Sequence, residues 1–508
     1  MVENQRLNIQ SSLDEKKDQL DKNERNRLGQ FATPTVLAGE IIDYGLELLK
    51  GKQIKFLDPA FGTGSFYSAL TRNCDSKQIE SASGVEIDEH YGKPASELWG
   101  NHSLNLEITD FTKKEILDEK SKSNLLICNP PYVRHHHLSK EDKIRLCEAS
   151  EEVFKTKVSG LSGLYCHFIA QAHKWMEVGG IAGWLIPSEF MDVNYGKSLK
   201  NYLCTEVTLL GVHRYSPDDA QFDDALVSSA VVWVKNETPS AEHKVKFTYG
   251  GTLANPSTTK DVELSVLKKE QKWTRFPLKE AREESEEPKI SNFFKIRRGL
   301  ATGNNDFFIV TLEDAKKNNI PLEFLKPILP SPRHLSVKEV ESEEDGTPKI
   351  DNKLFLVNCL LEPEQVEKDH PELWTYLNKG IELGVSKTYL CKNRPFWYKQ
   401  EKREPSPYYC TYIGRKTKAS NKPFSFILNH SEAVVTNSYL ALEPLPQVRD
   451  KLANNHDLRR EVWVALNAIC GEQMKEEGRV YGGGMHKMEP KELANVPATE
   501  VAELLKQY

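Results

Sequence analysis

The chain has 508 residues, 39% hydrophobic and 28% charged, with 68 Lys and Arg against 74 Asp and Glu and a net charge of −6. That length exceeds one ordinary core and asks for two domains, with room for a third. No apolar run nears the eighteen or so residues that cross a bilayer, the N-terminal segment is charged throughout and lacks the apolar stretch of a secretory signal, and the 9 cysteines are scattered with no C-x-x-C spacing. A membrane protein, a disulfide scaffold and a zinc ribbon are thereby excluded, reduced thiols and a cytoplasmic location are expected, and any affinity for nucleic acid must come from a local basic surface.

Up to about residue 285, apolar β-branched runs alternate with longer amphipathic stretches: "QIKFLDPA" (53–60), "ASGVEID" (82–88), "NLLICNPP" (124–131), "GIAGWLIP" (180–187), "VTLLGVHRY" (207–215) and "LVSSAVVWVK" (226–235). The rhythm predicts βαβ units on a largely parallel sheet. In "FLDPAFGTGSF" (56–66) a short strand ends on Asp58, a turn carries Ala60, Gly62 and Gly64, and a helix can start near Ser65. Such a turn at the carboxyl edge of a parallel sheet lets a ligand lie against the backbone. The next strand ends in "GVEID", placing Glu86 where a carboxylate can accept from both ribose hydroxyls, with Ile87 beside it. Asp110 in "EITDFT" could accept from an exocyclic adenine amine, with Phe111 beside the ring. The turn has neither the Gly-Lys-Ser/Thr of a phosphate loop nor the third glycine of a dinucleotide fingerprint. An adenosine without phosphates fits better, and S-adenosylmethionine is such a ligand, with a methyl already made electrophilic by its sulfonium.

"LLICNPPYVRHHH" (125–137) begins as a buried strand and stops on an amide, two prolines and an aromatic ring. Pro130 and Pro131 remove two donors and fix φ, so carbonyls at the strand end keep few local partners. The side-chain oxygen of Asn129 and the carbonyl of Pro130 can each take one N–H of an incoming aromatic amine, drawing its nitrogen toward tetrahedral and freeing its lone pair. Tyr132 can stack on the ring. No metal or covalent nucleophile is required, and the three consecutive histidines that follow cannot easily converge on one ion. They are expected to form a loop rim, with Arg134 approaching a DNA backbone.

"GQFATP" (29–34), "DPAFGTGSF", "GVEID", "TDFT", "NPPY", "GLYCHF" (163–168), "GGIAGWLIPSEF" (179–190) and "FDDALVSSAVVWV" (222–234) occur in the order of the gamma-class adenine-N6 DNA methyltransferases of type II restriction-modification systems, which the first 235 or so residues resemble. The resemblance implies an α/β fold: a Rossmann-like S-adenosylmethionine-dependent domain with a mainly parallel seven-stranded sheet, followed by an α+β DNA target-recognition domain. It also implies roles. Phe31 and Thr33 would close over the methionine part of the cofactor, Glu86 would hold its ribose, Asp110 its adenine amine, and Phe168 would pack on the adenine. Asn129, Pro130, Pro131 and Tyr132 would form the catalytic clamp, and Phe222 would contact the target base; read alone, Phe168 and Phe222 are core aromatics.

"KEAREESEEPK" (279–289) reads as a linker, dividing a catalytic domain (1–285) from a target-recognition domain (286–508). Residues 387–426 hold ten Lys or Arg against two Glu, interleaved with nine aromatics, which suggests a DNA face through Arg394, Trp397, Tyr398 and Arg415. "KIRRGLATGNNDFF" (295–308) and "YGGGMHKMEPKELANVPA" (481–498) resemble target-recognition segments, so Arg297, Arg298, Asn304, Asn305 and Lys487 join the candidates. No convincing nuclease core is found. The expectation is a monomeric, modification-only enzyme acting on double-stranded DNA, with a separate restriction endonuclease as genetic companion. The alternatives are a protein-glutamine or RNA amino-methyltransferase using the same clamp, and a non-catalytic DNA-binding protein.

Overall fold

The structure is a computed structural model that describes residues 2–20, 29–116, 118–133, 137–216, 229–278, 287–415, 422–453, 455–469, 471–481 and 485–507. Two compact units emerge, one of residues 1–283 with 481–483 and one of residues 284–480 with 484–508.

In the first unit the elements run α1 (Val2–Leu20), α2 (Thr35–Leu49), β1 (Ile54–Asp58), α3 (Ser65–Asn73), β2 (Ile79–Glu86), α4 (Glu89–Trp99), β3 (Asn105–Ile108), β4 (Ser123–Cys128), α5 (Lys140–Phe154), α6 (Leu164–His173), β5 (Met176–Pro187), α7 (Lys197–Thr205), β6 (Thr208–Arg214), β7 (Ser229–Lys235), β8 (Lys244–Gly251) and β9 (Pro256–Glu263). One sheet takes all nine strands in the order β3-β2-β1-β4-β5-β7-β6-β8-β9. Strands β3, β2, β1, β4 and β5 are mutually parallel, and β7 runs antiparallel between β5 and β6.

Strand β4 shows why these residues make a strand at all. Leu125, Leu126, Ile127 and Cys128 are each 0% exposed, and alternate residues enter opposite layers. Leu125 and Ile127 join Leu37, Ile41 and Leu70 on one face, while Leu126 and Cys128 join Phe154, Ile169 and Leu203 on the other. A central parallel strand covered by helices on both faces must be apolar throughout rather than alternating.

The expected seven strands are β1 to β7, and β8 and β9 extend the sheet. β8 pairs parallel to β6 and β9 returns antiparallel to β8. The half-exposed alternation of β9 is that of an edge strand, with Lys260, Asp261 and Glu263 marking an edge that discourages further pairing.

The second unit is α+β. Its strands are β10 (Phe294–Arg298), β11 (Ile309–Val310), β12 (Leu325–Ile328), β13 (Glu339–Val340), β14 (Leu354–Val357), β15 (Tyr408–Thr411), β16 (Ile413–Arg415), β17 (Phe426–Asn429), β18 (Tyr439–Pro444), β19 (Arg479–Tyr481) and β20 (Met485–Lys487). They form sheets ordered β10-β18-β15-β17-β13, β11-β14-β12 and β16-β20-β19. Helix His456–Ala468 contributes Leu458, Val462 and Leu466 to the core over the five-stranded sheet, beside Tyr408, Leu428 and Leu442. Among the described residues no helix is long and apolar enough to cross a membrane.

Candidate active site

Strands β1, β2, β4, β5 and β6 all end on one edge of the large sheet, at Asp58, Glu86, Cys128, Pro187 and Arg214. The Gly-rich turn after β1 is organised by the carboxylates of this edge. Asp58 is 1% exposed and accepts the Ala60 N–H at 3.1 Å, so it shapes the turn from beneath rather than facing a ligand. Glu86 accepts the Gly62 N–H at 2.8 Å on one oxygen and the Asp88 N–H at 2.9 Å on the other. Each oxygen of a carboxylate has two lone-pair sites, so both retain acceptor capacity. Burial pushes the Glu86 carboxyl up, opposed by those backbone donors. Gly64, at φ 89°, caps α3.

Gly62 sits at φ +55°, and a Cβ built there would meet nothing within 4 Å, so the turn faces open space. Open backbone beside a strand-end acid with spare acceptors, and an Ile87 that is 65% exposed, suits a ribose and a flat base. Asp110 is half-buried and caps a short helical turn, its Oδ1 taking the Thr112 N–H at 2.9 Å and the Thr112 hydroxyl at 2.7 Å. Phe111 and Phe168 are 2% and 7% exposed with ring centroids 5.7 Å apart, and Phe111 also meets Trp175. These two rings are core residues first.

At the end of β4 the amide of Asn129 is oriented. Its Nδ2 donates to the Phe31 carbonyl at 3.1 Å and to the Thr33 hydroxyl oxygen at 3.2 Å. A carbonyl can only accept, which fixes which end of the amide is nitrogen. Among the described residues neither Asn129 Oδ1 nor the Pro130 carbonyl receives a hydrogen bond. Tyr132 is anchored at both ends: its hydroxyl donates to the Leu185 carbonyl on β5 at 3.0 Å, and its N–H reaches the Gly29 carbonyl at 3.4 Å. Gly29 is at φ +65°, and a Cβ there would lie 2.4 Å from the Tyr132 nitrogen, so only glycine lets "GQFATP" cross "NPPY" this closely. Phe31 and Tyr132 face each other with centroids 6.3 Å apart. Pro130 is buried and Pro131 half-buried.

One part of the site is not signalled by any motif. Arg6 on α1 is 1% exposed; it donates to Thr63 Oγ1 at 3.3 Å and Ser65 Oγ at 3.0 Å in the Gly-rich turn, and to Thr35 Oγ1 at 3.3 Å. Its counter-ion Glu3 is met at 2.6 Å. Burial alone would raise the Glu3 carboxyl, but Arg6, Ser68 and Thr35 outweigh it and hold it at about 2. Along the same helix Gln10 accepts from Thr63 at 2.7 Å, Asp14 from Tyr91 at 2.8 Å, and Lys17 bridges Asp88 and Gln30. Helix α1 thus fastens the Gly-rich turn and the segment behind Phe31. An Asp/Glu three residues from an Arg is too common in helices to carry that reading in advance.

In the second unit the structure revises the expected DNA face. Tyr398 is 2% exposed and donates to the Leu361 carbonyl at 2.8 Å, and Trp397 packs on Phe307 and Phe308 in the same core. The Tyr398 ring is thereby closed to a base, while Trp397 is half-buried. Tyr408, Tyr409, Tyr412, Phe424 and Phe426 are also buried, at 5% exposure or less. Most rings of the stretch fill the cores of this unit rather than line a surface. Arg394 is spent on the Thr302 and Ala301 carbonyls at 2.9 and 2.7 Å. Asn304 caps the short helix Asn305–Phe308 and Asn305 accepts from Thr302. Arg297 pairs with Glu443 at 3.2 Å. Arg298 stacks over Tyr412 at 4.0 Å, and Lys487 lies over the same ring at 5.2 Å while pairing with Glu489. Segments remote in sequence therefore meet on Tyr412. Arg134, Phe222 and the side chain of Arg415 lie outside the described residues.

A parallel sheet with a glycine turn, an acid after β2 and an oriented strand-end amide defines a Rossmann-like methyltransferase. Residues 64–221 match the Eco57I restriction-modification methylase family, and residues 264–507 match the C-terminal domain of the type II methyltransferase M.Eco57I. The chain is 26% identical over 487 residues to the type II methyltransferase M.AccI of Acinetobacter calcoaceticus, covering 92% of this chain and 85% of that protein. It is 24% identical over 490 residues to M.XamI of Xanthomonas campestris pv. amaranthicola, covering 93% and 86%. A release factor glutamine methyltransferase of Chlamydia trachomatis is 29% identical over 157 residues, 30% of this chain and 49% of that one. Among solved structures, the type IIL restriction-modification enzyme MmeI in complex with DNA shares the fold at a TM-score of 0.50 and 12% identity, over 97% of this chain and 72% of that one. The chain belongs to the type II methyltransferases of restriction-modification systems, whose reaction is methylation of DNA at specific sites.

Burial pushes the Asp58 carboxyl from its ordinary 3.8 up to about 8, opposed by the Ala60 N–H and reinforced by Glu86. An acid raised in the folded state contributes stability that is full below its unfolded value and lost as pH rises through its folded value, here a window from about 4 to about 8. Asp58→Asn keeps an acceptor for Ala60 and carries no charge. Its melting temperature relative to the native protein should therefore climb across that window, by scanning calorimetry; a difference independent of pH would show that Asp58 is already ionised in the folded chain at pH ~5.

Proposed function

We propose that this chain transfers methyl from S-adenosylmethionine to N6 of an adenine that it extrudes from a specific double-stranded DNA sequence, protecting that sequence from a companion restriction endonuclease. The observation that carries the reading is the Asn129 amide, turned by the Phe31 carbonyl so that its oxygen, like the neighbouring Pro130 carbonyl, receives no hydrogen bond among the described residues. Two fixed acceptors are what a planar amine with two N–H bonds requires. Accepting from both weakens conjugation of the nitrogen with the ring and aims its lone pair along the remaining direction, an effect exerted only as the reaction proceeds. Tyr132, fastened at Gly29 and Leu185, offers the face on which the purine rests. The cofactor, when bound, supplies a methyl already activated by its sulfonium. Glu86 and the Gly62 turn would hold its ribose, Asp110 and Ile87 its adenine, and Phe31 and Thr33 its methionine end.

An adenine inside a duplex is stacked and paired, so extrusion costs a few kcal/mol. In this reading the second unit supplies binding energy and reads the sequence, with Arg298 and Lys487 over Tyr412 as its candidate DNA contacts and the chain acting as a monomer. The runner-up is methylation of a glutamine side chain, also a planar amide. The similarity to a glutamine methyltransferase spans 30% of the chain, whereas the similarity to M.AccI and M.XamI runs through both units, which favours DNA.

Labelled methyl offered with plasmid DNA, RNA and release factor as competing acceptors should enter DNA alone, and digestion should release N6-methyldeoxyadenosine. Label in cytosine or in protein would overturn the reading. Asn129→Ala should lower kcat by about 100-fold or more, in the range of a lost transition-state hydrogen bond, with cofactor affinity by calorimetry nearly intact; near-native turnover would remove Asn129 from the chemistry. Glu86→Ala should weaken cofactor binding by about 10-fold or more, as loss of a charged hydrogen bond does, and unchanged affinity would remove the ribose assignment.

A further inference from the structure

Arg214 closes β6 on the same sheet edge as the Asn129 clamp, and no described residue forms an ion pair with it. Its guanidinium lies 4.8 Å from the centroid of the Tyr249 ring. Its Nε is sealed from solvent with no hydrogen-bond partner. It makes no ion pair with any described residue. The carboxylate that acts on it electrostatically, Asp192, takes the Thr274 hydroxyl at 2.6 Å and the Thr274 N–H at 3.3 Å instead. Burial pulls the guanidinium below its ordinary value, opposed by Tyr249 and Asp192, yet an arginine does not give up its proton in a protein. Among the described residues the side chain is therefore a half-buried cation whose desolvation is offset by an aromatic face and by the field of Asp192, with no ion pair.

A desolvated charge left unpaired is costly, and an arginine fork is shaped for a phosphate's oxygens. Arg214 shares a sheet face with Val212 and Met191, opposite His213 and Tyr215. Three strand spacings separate the ends of β4 and β6, about 14 Å, a gap that an arginine side chain and one nucleotide can span together. We propose that Arg214 receives a backbone phosphate beside the extruded adenosine, holding the strand while its base occupies the clamp. This rests on the DNA-methyltransferase reading above and adds to it an anion site on the catalytic unit itself.

The test is the salt dependence of DNA binding by Arg214→Gln, with Arg214→Met, which keeps the packing on Tyr249, as a second neutral variant should the first fail to fold. Each phosphate neutralised contributes about 0.9 to the slope of log K against log salt. Loss of Arg214 should reduce that slope by about 0.9 and raise KM for DNA several-fold, leaving cofactor affinity unchanged, while Arg214→Lys should restore the slope. An unchanged slope in a folded neutral variant, or lysine failing to restore it, would overturn the assignment and leave Arg214 a packing residue. Native protein that binds no DNA would instead overturn the reading beneath it, so the two failures are distinguishable.

Discussion

A primary amide offers one donor end and one acceptor end, and at Asn129 the Phe31 carbonyl decides which is which. Since that carbonyl cannot donate, the Asn129 nitrogen is committed to the "GQFATP" segment and its oxygen to whatever enters beside Pro130. The rest of the site serves this commitment. Gly29 brings the segment against the Tyr132 backbone, Tyr132 is tethered to β5, and the apolar interior of β4 fixes where the strand ends. A clamp built from loops alone would have to be ordered by the substrate, with a corresponding loss of binding energy.

Helix α1 extends the same logic to the Gly-rich turn. A buried guanidinium and carboxylate are rarely a net gain in stability over an apolar pair, so the Arg6 and Glu3 pair is better understood through what it specifies. Arg6 divides its donors among Glu3, Thr63, Ser65 and Thr35, tying α1, α2 and the turn before α3 into one arrangement. Lys17 does the same for Asp88 and Gln30. The two segments expected to enclose the cofactor, the turn and "GQFATP", are thereby held by one helix.

Much of this was legible from residue type and order. Strand-end acids, the glycine turn and the amide before two prolines each have a physical reason to stand where they do, and the parallel sheet followed from apolar runs too continuous for one-sided strands. The chemistry of Arg6 was not legible, because a charged N-terminal segment has the pattern of a solvated helix until its partner surface is known. The stretch 387–426 was legible only in part: rings interleaved with cations suit both a nucleic-acid face and a segment whose rings fill a core. Tyr398, Tyr408 and Tyr409 are buried whereas Tyr389 is 76% exposed, so fewer rings stand beside the cations than the composition suggested. The β8–β9 extension was missed because its polar alternation is weak evidence for a strand until an edge is available to pair with.

The sheet order has one further consequence for electrostatics. Running β7 antiparallel between β5 and β6 leaves β6 parallel to β4, so the carboxyl ends of both reach the same edge. The acids that close strands on that edge, Asp58 and Glu86, lie on the β1–β2 side and are answered by backbone N–H groups, Asp58 by Ala60 and Glu86 by Gly62 and Asp88, while Asp192, beyond the end of β5, is held by Thr274. Arg214 lies on the far side of Asn129 from Asp58 and Glu86. Among the described residues, one edge thus presents two hydrogen-bonded acids, an uncharged acceptor pair and a cation without an ion pair in spatial order. In the function proposed above, that order would complement a nucleoside cofactor held through hydroxyls, a neutral base between, and an anionic strand beyond, and it is set by strand topology before any loop is considered.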